Sequence, residues 1–230
     1  MNAPVTSRQP RQRLGRREQL ADEVAAQLRA DIMAGVLRPG SFIRLDDTAA
    51  QFGVSITPVR EALRTLRSEG MVQLEPHRGH VVSPFTRADV EDVFWLQATI
   101  AVRLVRSAVE RITDAELDEL EGLTDELAEA IGHSDADGVV DAVFSFFRTL
   151  NRAAGRVKLA WFLLHAARCL PSLVYADNHE WGTRAVANQR ELVAALRRRD
   201  SEAAVRLTRA LFTDSARHLT ERLDELGIWA

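Results

Sequence analysis

Apolar positions follow two regimes along the chain. Near the N-terminus, Leu20, Val24, Leu28 and Ile32 recur every fourth residue. That spacing predicts an amphipathic helix over about residues 18–34, ended by Gly35. Pro39-Gly40 marks a turn, and a short helix over 45–52 stops at Gly53. A second short helix follows, with Pro58 in its first turn and Thr57 before it as N-cap. Its apolar face holds Val59, Ala62, Leu63 and Leu66, and Gly70 ends it. Residues 71–74 and 80–82 read as two short strands around the turn Glu75-Pro76-His77-Arg78-Gly79, where the glycine suits a positive φ. Beyond residue 85 the period is helical almost throughout. Thr86-x-x-Asp89 and Thr113-x-x-Glu116 read as capping boxes, the first opening a helix to about residue 111. Leu117, Leu120 and Leu127 follow the second on one face, and further helices are predicted over about 136–154, 157–175, 183–199 and 201–225.

Proline placement divides the chain in the same way. Pro39, Pro58, Pro76 and Pro84 crowd into one stretch, and only Pro171 follows. Proline interrupts helices and punctuates turns. Short elements are therefore expected before residue 84 and long helices after it. The division is a flexible basic arm (1–17), a small mixed domain (18–84) and a larger all-helical domain (85–230).

Composition narrows the class. The chain has 230 residues, 46% of them apolar, which is ample for a hydrophobic core. Its single cysteine, Cys169, excludes an intramolecular disulfide framework and a cysteine-based zinc finger, and its context reads as buried. No apolar run approaches the roughly 18 uncharged residues that a membrane span requires. The arm carries Arg8, Arg11, Arg13, Arg16 and Arg17 with no apolar stretch after them, so it does not read as a secretory signal; a cytoplasmic protein is expected. No glycine-rich phosphate loop, HExxH or GxSxG occurs, so no enzyme and no cofactor are expected. The net charge of −3 hides an asymmetry: residues 1–84 carry 12 basic and 9 acidic side chains, and the remainder 18 and 24. A basic part suited to phosphates precedes an acidic one that would stay off nucleic acid.

Helix, short helix, tight turn, second helix and a two-stranded wing make up a winged helix-turn-helix, in which the second helix of the pair enters the major groove of DNA. Residues 20–84 resemble the DNA-binding domain of GntR-family transcription regulators. The matching stretches are Gly35-Val36-Leu37-Arg38-Pro39-Gly40, Ala49-x-x-Phe52-Gly53-Val54-Ser55, Thr57-Pro58-Val59-Arg60-Glu61-Ala62-Leu63, Leu66-x-x-Glu69-Gly70-Met71-Val72 and Arg78-Gly79-x-Val81. The helical pattern of the remainder resembles the ligand-binding domain of the FadR-type subfamily. The fold implied is mainly α: a winged helix-turn-helix followed by an all-α helical-bundle effector domain. The resemblance also implies a homodimer on a pseudo-palindromic double-stranded operator, controlled by a small effector. Ser55, Thr57 and Arg60 match DNA-contacting positions of the family; Ile56 stands where an arginine is usual, which changes base preference. Arg44, Arg64, His77, Arg78 and Gly79 complete the candidate DNA surface. On spacing alone, Arg60 pairs equally well with Glu61 or Glu69, and His77 and Arg78 with solvent.

Many FadR-type domains hold a divalent metal with one Asp and three His, beside an Arg that grips a carboxylate effector. Anchored on Ala153-Ala154-Gly155 and on Asp200, those positions here are Val143, Phe147, Gln189 and Leu211, and the arginine position is Gln97. Asp141 lies two residues from Val143, about 200° around a helix. None of the four metal ligands is retained, so no metal is expected. A pocket that exchanges a charged centre for apolar side chains favours an apolar ligand. The resemblance therefore implies a hydrophobic effector such as a fatty acid or acyl-CoA. Val143, Phe144, Phe147, Trp161 and Leu211, together with Phe146, would line the cavity, and Gln97, Asn151, His165 and Gln189 would orient a headgroup. Alternatives are a small organic acid with a relocated metal site, a packed core with no effector, and a sequence-independent architectural DNA binder.

Overall fold

The computed structural model describes residues 12–76, 78–84, 86–167, 179–227 and 229. The chain forms two compact units, Met1–Pro84 and Phe85–Ala230. Residues 1–11 of the basic arm, His77, Cys169 and the expected end of the helix over 157–175 lie outside the described residues.

The first unit contains α1 (Gln12–Met33), β1 (Phe42–Ile43), α2 (Leu45–Phe52), α3 (Ile56–Ser68), β2 (Val72–Glu75) and β3 (Gly79–Val82). α1 begins six residues before the expected start, inside the segment read as an arm. Val24, Leu28 and Ile32 bury its inner face, while Val59, Ala62, Leu63 and Leu66 are solvent-free on α3. α1 and α3 pack directly on each other. α3 starts earlier than its proline suggests: Ser55 is the N-cap and Pro58 is the third helical residue. The N–H groups of a helix's first turn have no intrahelical acceptor, so proline costs no hydrogen bond there. Thr57 therefore lies inside the helix and not at its cap. The wing hairpin pairs β2 with β3 in antiparallel register, with Glu75 opposite Gly79. Gly79 has φ +102°, a backbone that side-chain-bearing residues rarely adopt. The sheet also has a third strand, in the order β1-β3-β2, with Phe42 opposite Val81. Two residues are too few to show an alternating pattern, which is why β1 escapes sequence reading.

The second unit is an all-helical bundle: α4 (Arg87–Arg111), α5 (Asp114–Gly132), α6 (Ala136–Ala153), α7 (Val157–Ala167), α8 (His179–Arg197) and α9 (Ser201–Leu226). Both capping boxes form, with Thr86 accepting from the Asp89 N–H and Thr113 from the Glu116 N–H. Asp135 and Asp200 cap α6 and α9 by the same means. α8 begins four residues before its expected start. α4 packs on α9, α7 and α6, and α5 on α6 and α8. Phe94, Leu104, Leu120, Phe146, Leu192, Leu196, Leu219 and Leu223 form the main core. At the helix ends, the Ser107 hydroxyl donates to the Ala154 carbonyl at 2.9 Å. Arg199 donates to the carbonyls of Val109 and Ile112 at 2.6 Å, capping the end of α4. No described helix is long and apolar enough to cross a membrane.

Candidate nucleic-acid interface and effector cavity

In the first unit, α3 buries Pro58, Val59, Ala62, Leu63 and Leu66 and turns Ser55, Ile56, Arg60 and Arg64 to solvent; Thr57 is half-buried. This split follows from 100° per residue on a helix whose apolar side chains all fall on one face. Ser55 makes no side-chain capping bond, so its hydroxyl and the first-turn N–H groups remain available to an outside acceptor. Arg60 and Arg64 form no ion pair with a described residue. The carboxylate that spacing offered to Arg60 is taken elsewhere: Glu69 accepts a bidentate bond from Arg29 of α1 at 2.7–3.0 Å. Arg44 is exposed at the N-cap of α2, and Arg78 at the wing turn, where its N–H donates to the Glu75 carbonyl at 3.1 Å. Arg78 reaches the Glu75 carboxylate only at 3.8 Å, an exposed pair worth little. His80 on β3 has its pKa lowered by burial and then by the nearby Arg67 charge, which keeps it neutral at pH 7.

In the second unit, α4, α6, α7, α8 and α9 surround a cavity of about 720 Å³. Gln97, Val143, Phe144, Phe147, Asn151, Trp161, Gln189 and Leu211 all line it. Residues 500 sequence steps apart are not needed to build it: α6 contributes Val143, Phe144, Phe147 and Asn151 from one face, at spacings of one, three and four. Two of the expected lining residues fall elsewhere. Phe146 lies about 100° around α6 from Phe147 and is fully buried in the main core, edge-on to Phe147 at 5.7 Å. His165 is absent from the lining; its ring stacks on Trp161 at 3.7 Å, with Nδ1 2.8 Å from the Trp161 carbonyl oxygen. Asp141 is exposed, as its offset from Val143 requires.

Sequence reasoning missed Phe94, Arg148, Trp181, Phe212 and Ser215, which also line the cavity. Helical spacing carries a signal for most of them. Phe94 precedes Gln97 by one turn, Arg148 follows Phe144 by one turn, and Ser215 follows Leu211 by one turn. Phe147 and Phe212 meet across the cavity wall at 6.1 Å.

The donor set does not fit a divalent metal. Among the described residues no histidine, cysteine, aspartate or glutamate lines the cavity, and no group of three such side chains gathers anywhere. Val143, Phe147 and Leu211 offer no lone pair. The lining can instead desolvate an apolar chain while a few polar groups orient it.

Comparison with known proteins agrees with the division into two units. Residues 20–82 match the model of bacterial regulatory proteins of the gntR family, and residues 92–214 match the FCD domain. The chain is 26% identical to the uncharacterized HTH-type transcriptional regulator YdhC of Bacillus subtilis, over 86% of this chain and 90% of that protein. It is also 26% identical to the HTH-type transcriptional repressor RspR of Escherichia coli, over 78% of this chain and 79% of that one. Among solved structures, E. coli McbR/YncC superposes with a TM-score of 0.71 at 24% identity, covering 88% of this chain and 98% of that chain, a likeness of fold.

Proposed function

The chain belongs to the gntR family of bacterial regulatory proteins and carries an FCD domain, and from that premise we propose an operator-binding homodimer controlled by a hydrophobic effector. Its relatives are transcriptional regulators, and regulation of transcription is the function of the family. The finer reading is a cytoplasmic repressor without a metal or other cofactor, whose ligand is of the fatty acid or acyl-CoA class. The observation that carries it is the cavity of about 720 Å³: it is enclosed by apolar side chains at the positions where metal ligands stand in related domains.

Each part has a physical role. Two copies of α3 would occupy major grooves about one helical turn, roughly 34–36 Å, apart. Arg60, with its guanidinium free of a described acid, is the base-reading candidate, suited to a bidentate bond with guanine. Ser55 and Thr57 would bind phosphate at the start of α3, while Ile56 offers an apolar contact suited to a thymine methyl. Arg44, Arg64, Arg78 and the wing glycine Gly79 would hold the backbone. His77 at the wing turn keeps its sequence-based assignment. In the effector domain, an alkyl chain would displace poorly held water from Val143, Phe144, Phe147, Trp161 and Leu211. Gln97, Asn151 and Gln189 would orient its polar group.

The test is operator binding by the full chain. On its palindrome, Arg60→Ala is expected to lose about 1–3 kcal/mol and to relax preference at one base position, while Arg78→Ala weakens all sequences alike and lowers the salt slope by about one. Addition of fatty acids or acyl-CoA is expected to quench the cavity tryptophans, Trp161 and Trp181, and to release the operator. Equal affinity for any duplex would point to an architectural protein instead, and indifference to every apolar chain would overturn the effector assignment.

A further inference from the structure

Gln97 on α4 and Gln189 on α8 line the same cavity, and they are only 4% and 2% exposed. Each keeps one buried amide atom without a hydrogen-bond partner: Nε2 of Gln97 and Oε1 of Gln189. A buried amide atom without a partner loses its hydration and gains nothing in return. Leucine or methionine would fill either place without that cost. Two such glutamines on one cavity are better explained by a ligand than by packing.

The remaining lining restricts the partner. Its only charged side chains are Arg148 and Arg152, both exposed, and Arg152 is bound to Glu119 at 2.7 Å. A carboxylate placed between the glutamines would be a buried charge with no buried cation beside it. A plain alkyl chain there would leave both amides against methylene groups. A neutral group that donates and accepts satisfies both. The last torsion of glutamine is soft, so either amide can turn the complementary atom toward such a group.

We propose that Gln97 and Gln189 select an effector whose buried portion carries a neutral hydrogen-bonding group, a hydroxyl or a carboxamide, and reject one that buries a carboxylate. The inference rests on the hydrophobic-effector reading and narrows its ligand.

The experiment compares octanamide, 1-octanol, octanoate and the acceptor-only methyl octanoate, by calorimetry and tryptophan quenching on the full chain near pH 7.5, where octanoate is ionised. Octanamide and 1-octanol are expected to bind at least about tenfold more tightly than octanoate. In Gln97→Leu and Gln189→Leu that preference is expected to shrink to within about threefold, with methyl octanoate bound as well as before or better. Without ligand, both variants are expected to melt no lower than the parent, because each removes an unpartnered amide. Octanoate binding equal to or tighter than octanamide, or a preference that survives both substitutions, overturns the selection and leaves the hydrophobic-effector reading standing. Lower melting of both ligand-free variants overturns it too, since the amides would then be holding the fold. If none of the four chains binds, the effector reading fails and this inference fails with it.

Discussion

The bond between Arg29 and Glu69 fixes α1 against the end of the DNA-reading helix, and its removal has a magnitude that the structure sets. Glu69 is the C-cap of α3, and the guanidinium meets its two carboxylate oxygens at 2.7 and 2.8 Å through Nη2 and at 3.0 Å through Nε. The side chains are 15% and 18% exposed. Exposed pairs contribute about 0–1 kcal/mol, whereas removing one partner of a buried pair costs about 3–5 kcal/mol. This pair lies between the limits, nearer the buried one, so Arg29→Met is expected to destabilise the first unit by about 2–3 kcal/mol. Most of that is the cost of leaving the Glu69 carboxylate without its donors. Arg29→Met with Glu69→Leu is therefore expected to recover to within about 1 kcal/mol of the parent. The assay must look at the first unit specifically. All four tryptophans, Trp95, Trp161, Trp181 and Trp229, lie beyond residue 84 and are silent about it. Native-state hydrogen exchange of α3 amides reads it directly, and 2–3 kcal/mol is a loss of protection of about 30- to 150-fold. A single variant within about 0.5 kcal/mol of the parent, or a double variant as unstable as the single one, would refute the reasoning.

Phe146→Ala and Phe144→Ala separate core from cavity wall. The first empties a fully buried site and is expected to cost about 3–5 kcal/mol in thermal or urea unfolding. The second, at a 44% exposed position, is expected to cost much less and to weaken ligand binding instead. His80 supplies a pH dependence to the first unit. Burial and Arg67 hold its pKa below the ordinary 6.5, so the unfolded chain takes up the proton first as pH falls. The folded unit then loses stability as pH drops through 6.5 and below, and keeps it in full above that value. α3 exchange protection is expected to fall between about pH 7 and 5 in the parent and to fall less in His80→Gln; equal slopes would discount the histidine.

Helix existence and type were legible because amphipathic periods and capping boxes are local. Thr86-x-x-Asp89 and Thr113-x-x-Glu116 each specify a cap within four residues, and both form. The start of α3 was less legible, since Ser55 and Thr57 are both good caps. Packing of Val59 and Leu63 on α1 decides between them. The cavity was legible as a set of positions, because a shared pattern of helix faces puts Gln97, Val143, Phe147, Gln189 and Leu211 in register. It was not legible as a surface: Phe146 and Phe147 are neighbours with the same side chain, and one packs in the core while the other walls the cavity.

By itself, then, the sequence determined the two-part organisation, the helix-turn-helix with its wing, and the loss of a metal-binding donor set. All three depend on residue type at fixed local spacing. Tertiary structure decided what spacing cannot carry. It paired Glu69 with Arg29 across 40 residues and withdrew it from Arg60, turned His165 onto Trp161, and added β1 to the edge of the wing. It also left two glutamine amide atoms buried without partners beside an apolar cavity. Each is a contact between residues distant in sequence or a choice between rotamers, and such choices are settled only when helices pack against one another.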